Sequence, residues 1–355
     1  MNHLNKMFTS LTEDIVLYGI FPFLFDRERI NLISVTNIVY AHYKKLIYYD
    51  DPVWVHTPSD QTQLMSNPTR NFNAIRNFIT PYSIFPANVQ RLELRQDLSG
   101  TIPSSVTNLS LAGFFNKSIK GIIPSGVTHL TIGGNYHDLK GNIPEGVSHL
   151  RIDMDIINVK GIIPPNVTHL TFGYYFNSNI CGEIPPSVTH LEFRGSFDRC
   201  LKGALPQGLI SLKLGFYFDQ PIKEALPLGL RYLKFGDKFN QDIRGAIPSS
   251  VTDLVFGKNF NQPIDKALPS SLIKLTFGKH FNQSIQGTIP PSVKQLMFGK
   301  RFFQSIRGQI PSSLVSLIFH SASQRQLDSI PSTVIFAVNN GEVIRDLISD
   351  GIVSI

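Results

Sequence analysis

The stretch KLTFGKHFNQSIQGTIPPSV, Lys274 to Val293, decides the fold, because nearly the same string recurs on both sides of it. Its anchor is a proline that returns at Pro86, Pro103, Pro124, Pro144, Pro164, Pro185, Pro206, Pro227, Pro248, Pro269, Pro290, Pro311 and Pro331, at intervals of 17 and then 20 or 21 residues. Six places after each of the first twelve prolines stands a leucine, from Leu92 and Leu109 to Leu296 and Leu317. Two places further on stands an aliphatic residue or Phe, as in Phe235, Phe256, Phe277 and Phe298. Apolar residues separated by one position have the period of a strand, so each unit holds a short strand with these two side chains inward.

A glycine then permits a positive φ or tight bend, and Phe-Asn follows, complete at Phe115-Asn116, Phe176-Asn177, Phe239-Asn240, Phe260-Asn261 and Phe281-Asn282, with Asp in place of Asn at Asp198 and Asp219. Asn and Asp can both hydrogen-bond nearby backbone, so stacked copies would form a ladder of side-chain bonds. A unit of ~21 residues with one strand and no long helical period cannot bury its own apolar side, and must stack on its neighbours as a solenoid.

The string Phe-Asn-X-X-Ile-X-Gly-X-Ile-Pro resembles the FNIP repeat, a leucine-rich-repeat-like unit common in social amoebae and the giant DNA viruses of amoebae. The resemblance covers residues 86 to 338, about twelve units, and implies a mainly β solenoid of short parallel strands. Asn135 to Asp138 and Asp155 to Asn158 lack Phe-Asn, and Phe302-Phe303 replaces it near the end.

Upstream, Ser10 with Glu13 reads as a capping box, and three short apolar-faced helices are expected within residues 8–50. The order Leu-X-X-Asp-Ile, Ile-Phe-X-Phe-Leu and a Leu-X-X-Val helix is similar to an F-box. That resemblance implies docking onto the Skp-type adaptor of a cullin ubiquitin ligase through Leu11, Ile15, Ile20, Leu24, Leu32 and Val35. Thr12 stands where the F-box pattern has Pro, and a helical cap on the solenoid is the alternative reading. Residues 51–85 read as a linker with a short helix near Thr69 to Phe78. Val343, Ile344, Leu347 and Ile348 have helical spacing, which predicts a capping helix over residues 339–355.

The totals exclude several classes. Lys plus Arg exceed Asp plus Glu by 33 to 26, but charged residues are only 17% of the chain, too dilute for a dedicated nucleic-acid binder. The longest apolar run, Ile15 to Phe25, is about half the ~20 residues needed to span a bilayer, and the N-terminus has no secretory pattern. A cytoplasmic, non-membrane protein is the expectation. Cys181 and Cys200 cannot staple a chain of 355 residues and are read as reduced thiols.

No catalytic motif is found, and no cofactor or metal is implied. Gly-Lys at 257–258, 278–279 and 299–300 follows a strand as a phosphate loop would, but lacks the other glycine and the hydroxyl, and its recurrence reads as scaffold. His129, His149, His169 and His190 occupy one position in four successive units, just before the strand leucine, so their side chains should stand on the outer face about 4.8 Å apart. Such a row could bind metal or respond to pH, or be a repeated surface position. Lys120, Lys140, Lys160, Lys202, Lys223, Arg244 and Arg307 form a second column, read as a solvated ridge.

The positions flanking the strand leucine vary freely, and toward the C-terminal half they become more apolar through Tyr232, Val255, Met297 and Ile318, with Lys274 beside them. With the four histidines, these residues are the candidate face for an unknown protein partner. The combined expectation is a non-enzymatic substrate-recognition adaptor of a ubiquitin ligase; the alternative is a protein-binding scaffold whose N-terminal helices only cap the solenoid.

Overall fold

The computed structural model describes residues 89–94, 101–112, 118–134, 136, 139–156 and 158–334, together with the backbone of four flanking strands. The expected F-box segment lies outside the described residues. The strands are β1 (Val53–Trp54), β2 (Ala74–Phe78), β3 (Arg91–Leu94), β4 (Asn108–Ala112), β5 (His129–Gly133), β6 (His149–Ile152), β7 (His169–Phe172) and β8 (His190–Phe193), followed by β9 (Ser211–Lys213), β10 (Tyr232–Lys234), β11 (Asp253–Val255), β12 (Lys274–Thr276), β13 (Gln295–Phe298), β14 (Ser316–Phe319), β15 (Phe336–Asn339) and β16 (Glu342–Asp346). They form one sheet in sequence order. Every neighbouring pair from β1 to β15 is parallel, and the leucines pair with leucines: Leu233 with Leu254, Leu254 with Leu275, Leu275 with Leu296. The repeat therefore builds a parallel solenoid, as its period requires.

Both ends differ from the sequence expectation. Ala74–Phe78 is a strand pairing in parallel with β3, where a helix was expected within a linker. An exposed edge at β3 would leave a row of backbone donors and acceptors unpaired, and β2 supplies their partners. At the other end, residues 336–339 and 342–346 form an antiparallel pair in place of the expected capping helix. Between them the sequence reads Asn340-Gly341, a strong hairpin signal that helical spacing downstream obscures. The single helix of the described residues, α1 (Gln324–Leu327), sits just after β14.

The core is built from columns. The strand residues Leu254, Leu275 and Leu296 are buried, and so are both phenylalanines of each complete unit. Phe235, Phe256, Phe277 and Phe298 stack at centroid spacings of 5.5 to 5.6 Å. Phe239, Phe260, Phe281 and Phe302 form a second stack at 6.1 Å. Within a unit the two rings lie 3.8 to 3.9 Å apart. Along the stacks, where the rings are parallel and offset, each pair contributes about 0.5–1.5 kcal/mol beyond the area it buries. Where Phe-Asn is missing, Tyr136 and Ile156 are buried instead, so the architecture continues through the degenerate units.

The expected ladder is present. The Asn240 side-chain oxygen accepts the Asn261 amide at 2.8 Å, Asn261 accepts that of Asn282 at 2.8 Å, and Asn282 that of Phe303 at 2.9 Å. Asp198 and Asp219 act identically, accepting the amides of Asp219 and Asn240 at 3.0 and 2.8 Å. Gln262, Gln283 and Gln304 add a parallel row by donating to the backbone carbonyls of Asn240, Asn261 and Asn282. Gln326 of α1 ends that row, its amide nitrogen donating to the carbonyls of Phe302 and Gln304. The unit is thus closed by side chains that bond the neighbouring coils, Asn or Asp to the coil after and Gln to the coil before.

The two glycine columns have different causes. The glycine of the closing turn adopts the left-handed conformation, with φ from +64° to +75° at Gly121, Gly141, Gly161, Gly182, Gly203, Gly245, Gly287 and Gly308. The glycine after the strand has no positive φ, contrary to one reading of its role; a Cβ on Gly257 would collide with the Gly236 carbonyl, and one on Gly278 with that of Gly257. Backbone packs on backbone there.

In two units the left-handed position carries Glu224 (φ +59°) or Lys266 (φ +51°). A side chain costs about 1–2 kcal/mol in that conformation, partly offset by the lower entropy of its unfolded state. Lys266→Gly is therefore expected to stabilise the protein by about 1 kcal/mol, read as a raised urea midpoint with an unchanged slope. Asn261→Ala, which leaves the Asn282 amide without its acceptor, is expected to lower stability by about 1–3 kcal/mol in the same assay. Asn261→Asp should be tolerated, since Asp219 already fills that role.

Candidate protein-binding face

Along each strand the leucine and the residue two beyond it are buried, while the residues on either side of the leucine stand on the outer face, half-buried or exposed except for Met297. The sequence expectation that these flanking positions form one face is met, and two different regions lie along it.

The first is the histidine column. His129, His149, His169 and His190 pair in register across β5 to β8, and their rings stack at centroid spacings of 4.1 Å with interplanar angles of 9° to 14°. Each Nδ1 lies 2.9 to 3.0 Å from the hydroxyl of the preceding residue, Thr128, Ser148, Thr168 or Thr189. The carbonyls available to those hydroxyls are farther away, at 3.2 to 3.4 Å, and already accept backbone amides. The hydroxyl holds Nδ1 in either tautomer of the neutral ring, donating to it or accepting from it. Parallel rings stacked face to face hold their nitrogens abreast and do not converge on one ion. No group of three or more metal-capable side chains occurs among the described residues.

Stacking also resists charge. Burial first, and then His190, His149 and His129, hold His169 down at about 4. Burial, His149 and Arg91 lower His129, and burial, His149 and Lys213 lower His190. Arg151 of β6 and Glu192 of β8 complete the charged groups on the adjoining outer positions.

The second region is a groove of about 720 Å³ across β10 to β13, reaching His320 just after β14. Tyr232, Val255, Lys274 and Met297 line it together, as the sequence suggested, but Met297 does not stand exposed: at 6% accessibility it forms the floor. It sits in register between Thr276 and Ile318, and the short Thr276 side chain leaves it room to lie down. Ile318 is half-buried beside it but does not line the groove, and neither do the four stacked histidines.

The residues that sequence reading missed here are the lysines of the repeated Gly-Lys. Lys258, Lys279 and Lys300, read above as scaffold, all line the groove, with Lys234 from β10 and His320 just after β14. Lys258 pairs with Asp237 at 2.5 Å, and Lys274 approaches Asp253 at 4.0 Å. The signal was visible, a basic residue returning every 21 positions beside a variable face.

The other basic column is separate. Lys120, Lys140, Lys160, Lys202, Lys223, Arg244 and Arg307 are all exposed and none lines the groove. Lys202 bonds Glu224 at 2.9 Å, and the Arg244 guanidinium, bonded to Asp242, holds that carboxyl at about 2. Such exposed pairs contribute little to stability. Cys181 and Cys200 are free and exposed. No helix among the described residues is long and apolar enough to cross a membrane.

The FNIP Repeat family model matches residues 96–135, 157–181, 176–217, 218–259, 239–280 and 281–322, together more than half of the sequence. The chain belongs to the FNIP repeat family. Among solved structures, its FNIP solenoid is similar to CroV588, a circular LRR protein, at 30% identity and a TM-score of 0.67, over 79% of this chain and 48% of that one. The chain thus spans about half the length of CroV588. YopM from Yersinia enterocolitica also matches, with 19% identity, a TM-score of 0.48 and coverage of 75% of this chain and 59% of that one. So does the leucine-rich-repeat protein LegL7 from Legionella pneumophila, at 16% identity and a TM-score of 0.34, over 71% of this chain and 90% of that one. No curated protein matches the chain. The FNIP repeats therefore build a leucine-rich-repeat-like solenoid.

The histidine stack makes a prediction about pH. A group whose folded pKa lies below its unfolded value stabilises the fold only while neutral, so this contribution is complete above about pH 6.5 and is lost as pH falls toward 4. The thermal midpoint should fall across that window, and His169→Gln should reduce the fall. The difference between the two proteins isolates the imidazole from the carboxylates that titrate at the lower end.

Proposed function

We propose that this FNIP repeat protein is a non-enzymatic recognition adaptor that holds a protein partner on the outer strand face of its solenoid. One observation carries the reading: the inward positions of the strands repeat almost without change, while the outward positions, the four-histidine column apart, differ from unit to unit and line a groove. A repeat that is fixed inside and varied outside keeps its scaffold constant while its contacts change, as binding solenoids do. Affinity would come from the groove and specificity from the sequence of outer residues.

The second arm of the proposal is residues 8–50 as an F-box that docks a Skp-type adaptor, with residues 51–85 joining it to repeats over 86–338. It rests on the resemblance of Leu11, Ile15, Ile20, Leu24, Leu32 and Val35 to F-box contact positions. The protein would act by proximity, keeping its partner at high effective concentration near a ligase whose chemistry lies elsewhere, in the cytoplasm of the cell that contains it. The scaffold reading keeps the first arm and drops the second.

Capture of a purified Skp-type adaptor by the intact chain separates the two. Binding is expected, and Ile20→Asp should abolish it while leaving the far-ultraviolet circular dichroism of the repeats unchanged. An intact chain that captures no adaptor leaves the scaffold reading.

A further inference from the structure

We propose that the groove over β10 to β13 and His320 takes an extended acidic segment of about six residues that carries an apolar side chain. This deepens the binding-face reading above and rests on it. Charge is the first argument. Five lysines line the groove, Lys234, Lys258, Lys274, Lys279 and Lys300, against two aspartates, Asp237 and Asp253, an excess of three positive charges. Both aspartates already face a lysine, and Lys234, Lys279 and Lys300 have no carboxylate partner among the described residues. Unpaired cations around a concave site focus a positive field on whatever enters it.

The placement of these charges is the second argument. Lys258, Lys279 and Lys300 occupy one repeated position, so they form a row at the spacing of the strands, about 4.8 Å. Below that row the floor is apolar: Val255, the buried Met297 and the ring of Tyr232. Met is a floor that adapts to a guest side chain, being unbranched and polarizable. A basic wall over an apolar floor suits a chain offering carboxylates to one side and an aliphatic or aromatic residue downward. It fits a continuous phosphate backbone poorly, because two aspartates stand among the lysines.

The length of the guest follows from the sheet. Strands β10 to β13 and the coil of His320, at about 4.8 Å spacing, span about 19 Å, which an extended chain covers in about six residues. Burial of one large apolar side chain supplies about 1.5–3 kcal/mol, so the affinity of such a short segment depends strongly on the charges.

The test is selection from a displayed library of random hexapeptides on the full-length protein, followed by affinity measurement on the enriched peptides. Enrichment in Asp and Glu with one Phe, Leu, Ile or Tyr is expected. Affinity for those peptides should drop at least tenfold in the double variant Lys279→Glu/Lys300→Glu and weaken as salt rises from about 50 to 500 mM. Both lysines are exposed, so the variant should keep its fold, checked by an unchanged urea midpoint. Enriched peptides without an acidic bias, or peptides indifferent to the double variant, would overturn the acidic guest while leaving the binding face standing. Equal affinity for hexathymidylate would overturn it too, leaving charge alone as the determinant. No enrichment over the groove-blocked variant Val255→Arg would defeat both the guest and the binding face.

Discussion

Everything in this solenoid depends on one constraint: a backbone amide in one coil bonds a carbonyl in the coil before it, so each residue sits on its own counterpart 20 or 21 places away. Where strand meets strand this is ordinary parallel pairing. Just past the strand it tightens further, because Gly236, Gly257, Gly278 and Gly299 let one coil's backbone rest on the next with no side chain between. Register fixed at that point is imposed on every other column. Like is then forced upon like, and each residue type is judged by whether it tolerates its own neighbour.

Phe and Asn tolerate it well. Flat rings stack with small interplanar angles, and an Asn side chain can accept a bond from the coil after it while its own amide donates to the coil before. Ionisable residues tolerate it only at a cost. In the histidine stack, burial and neighbouring imidazoles hold His129, His169 and His190 below the usual histidine range, and the hydroxyls of Thr128, Ser148, Thr168 and Thr189 hold each Nδ1 in place. The lysines of the repeated Gly-Lys line the groove, where Lys258 is paired with Asp237 of the coil before.

This explains which parts were legible in the sequence. Inward columns could be read directly, because identical stacking demands identical residues: the strand leucines, both phenylalanines and the Asn ladder follow from period alone. The groove could not, because it depends on how long each outer side chain is relative to the next. Met297 looked exposed by strand alternation and is buried because Thr276 beside it is short. Lys258, Lys279 and Lys300 were set aside because their recurrence resembled scaffold, when in a stacked array recurrence is also how a charged wall is made. At the ends, periodicity stops being informative: Ala74–Phe78 became a strand to satisfy the edge of β3, and Asn340-Gly341 outweighed the helical spacing that follows it.

The direction of the Asn ladder has a consequence for how such a chain can change. Each Asn side chain serves the coil that follows it, and what a coil takes from its predecessor is the same at every step: strand carbonyls, the Asn side-chain acceptor and the carbonyl that the Gln amide reaches. A whole unit can therefore be inserted or removed without breaking any bond type, and a residue more or less within a unit is absorbed locally, since spacings of 20 and 21 residues both keep leucine paired with leucine. Chain length is in effect counted in coils, and the extent of the outer face grows by one strand, about 4.8 Å, with each unit gained. Reach along a partner is thus a quantity that duplication can adjust in fixed steps, while the chemistry of any one step is left to the few outward residues that the stacking does not constrain.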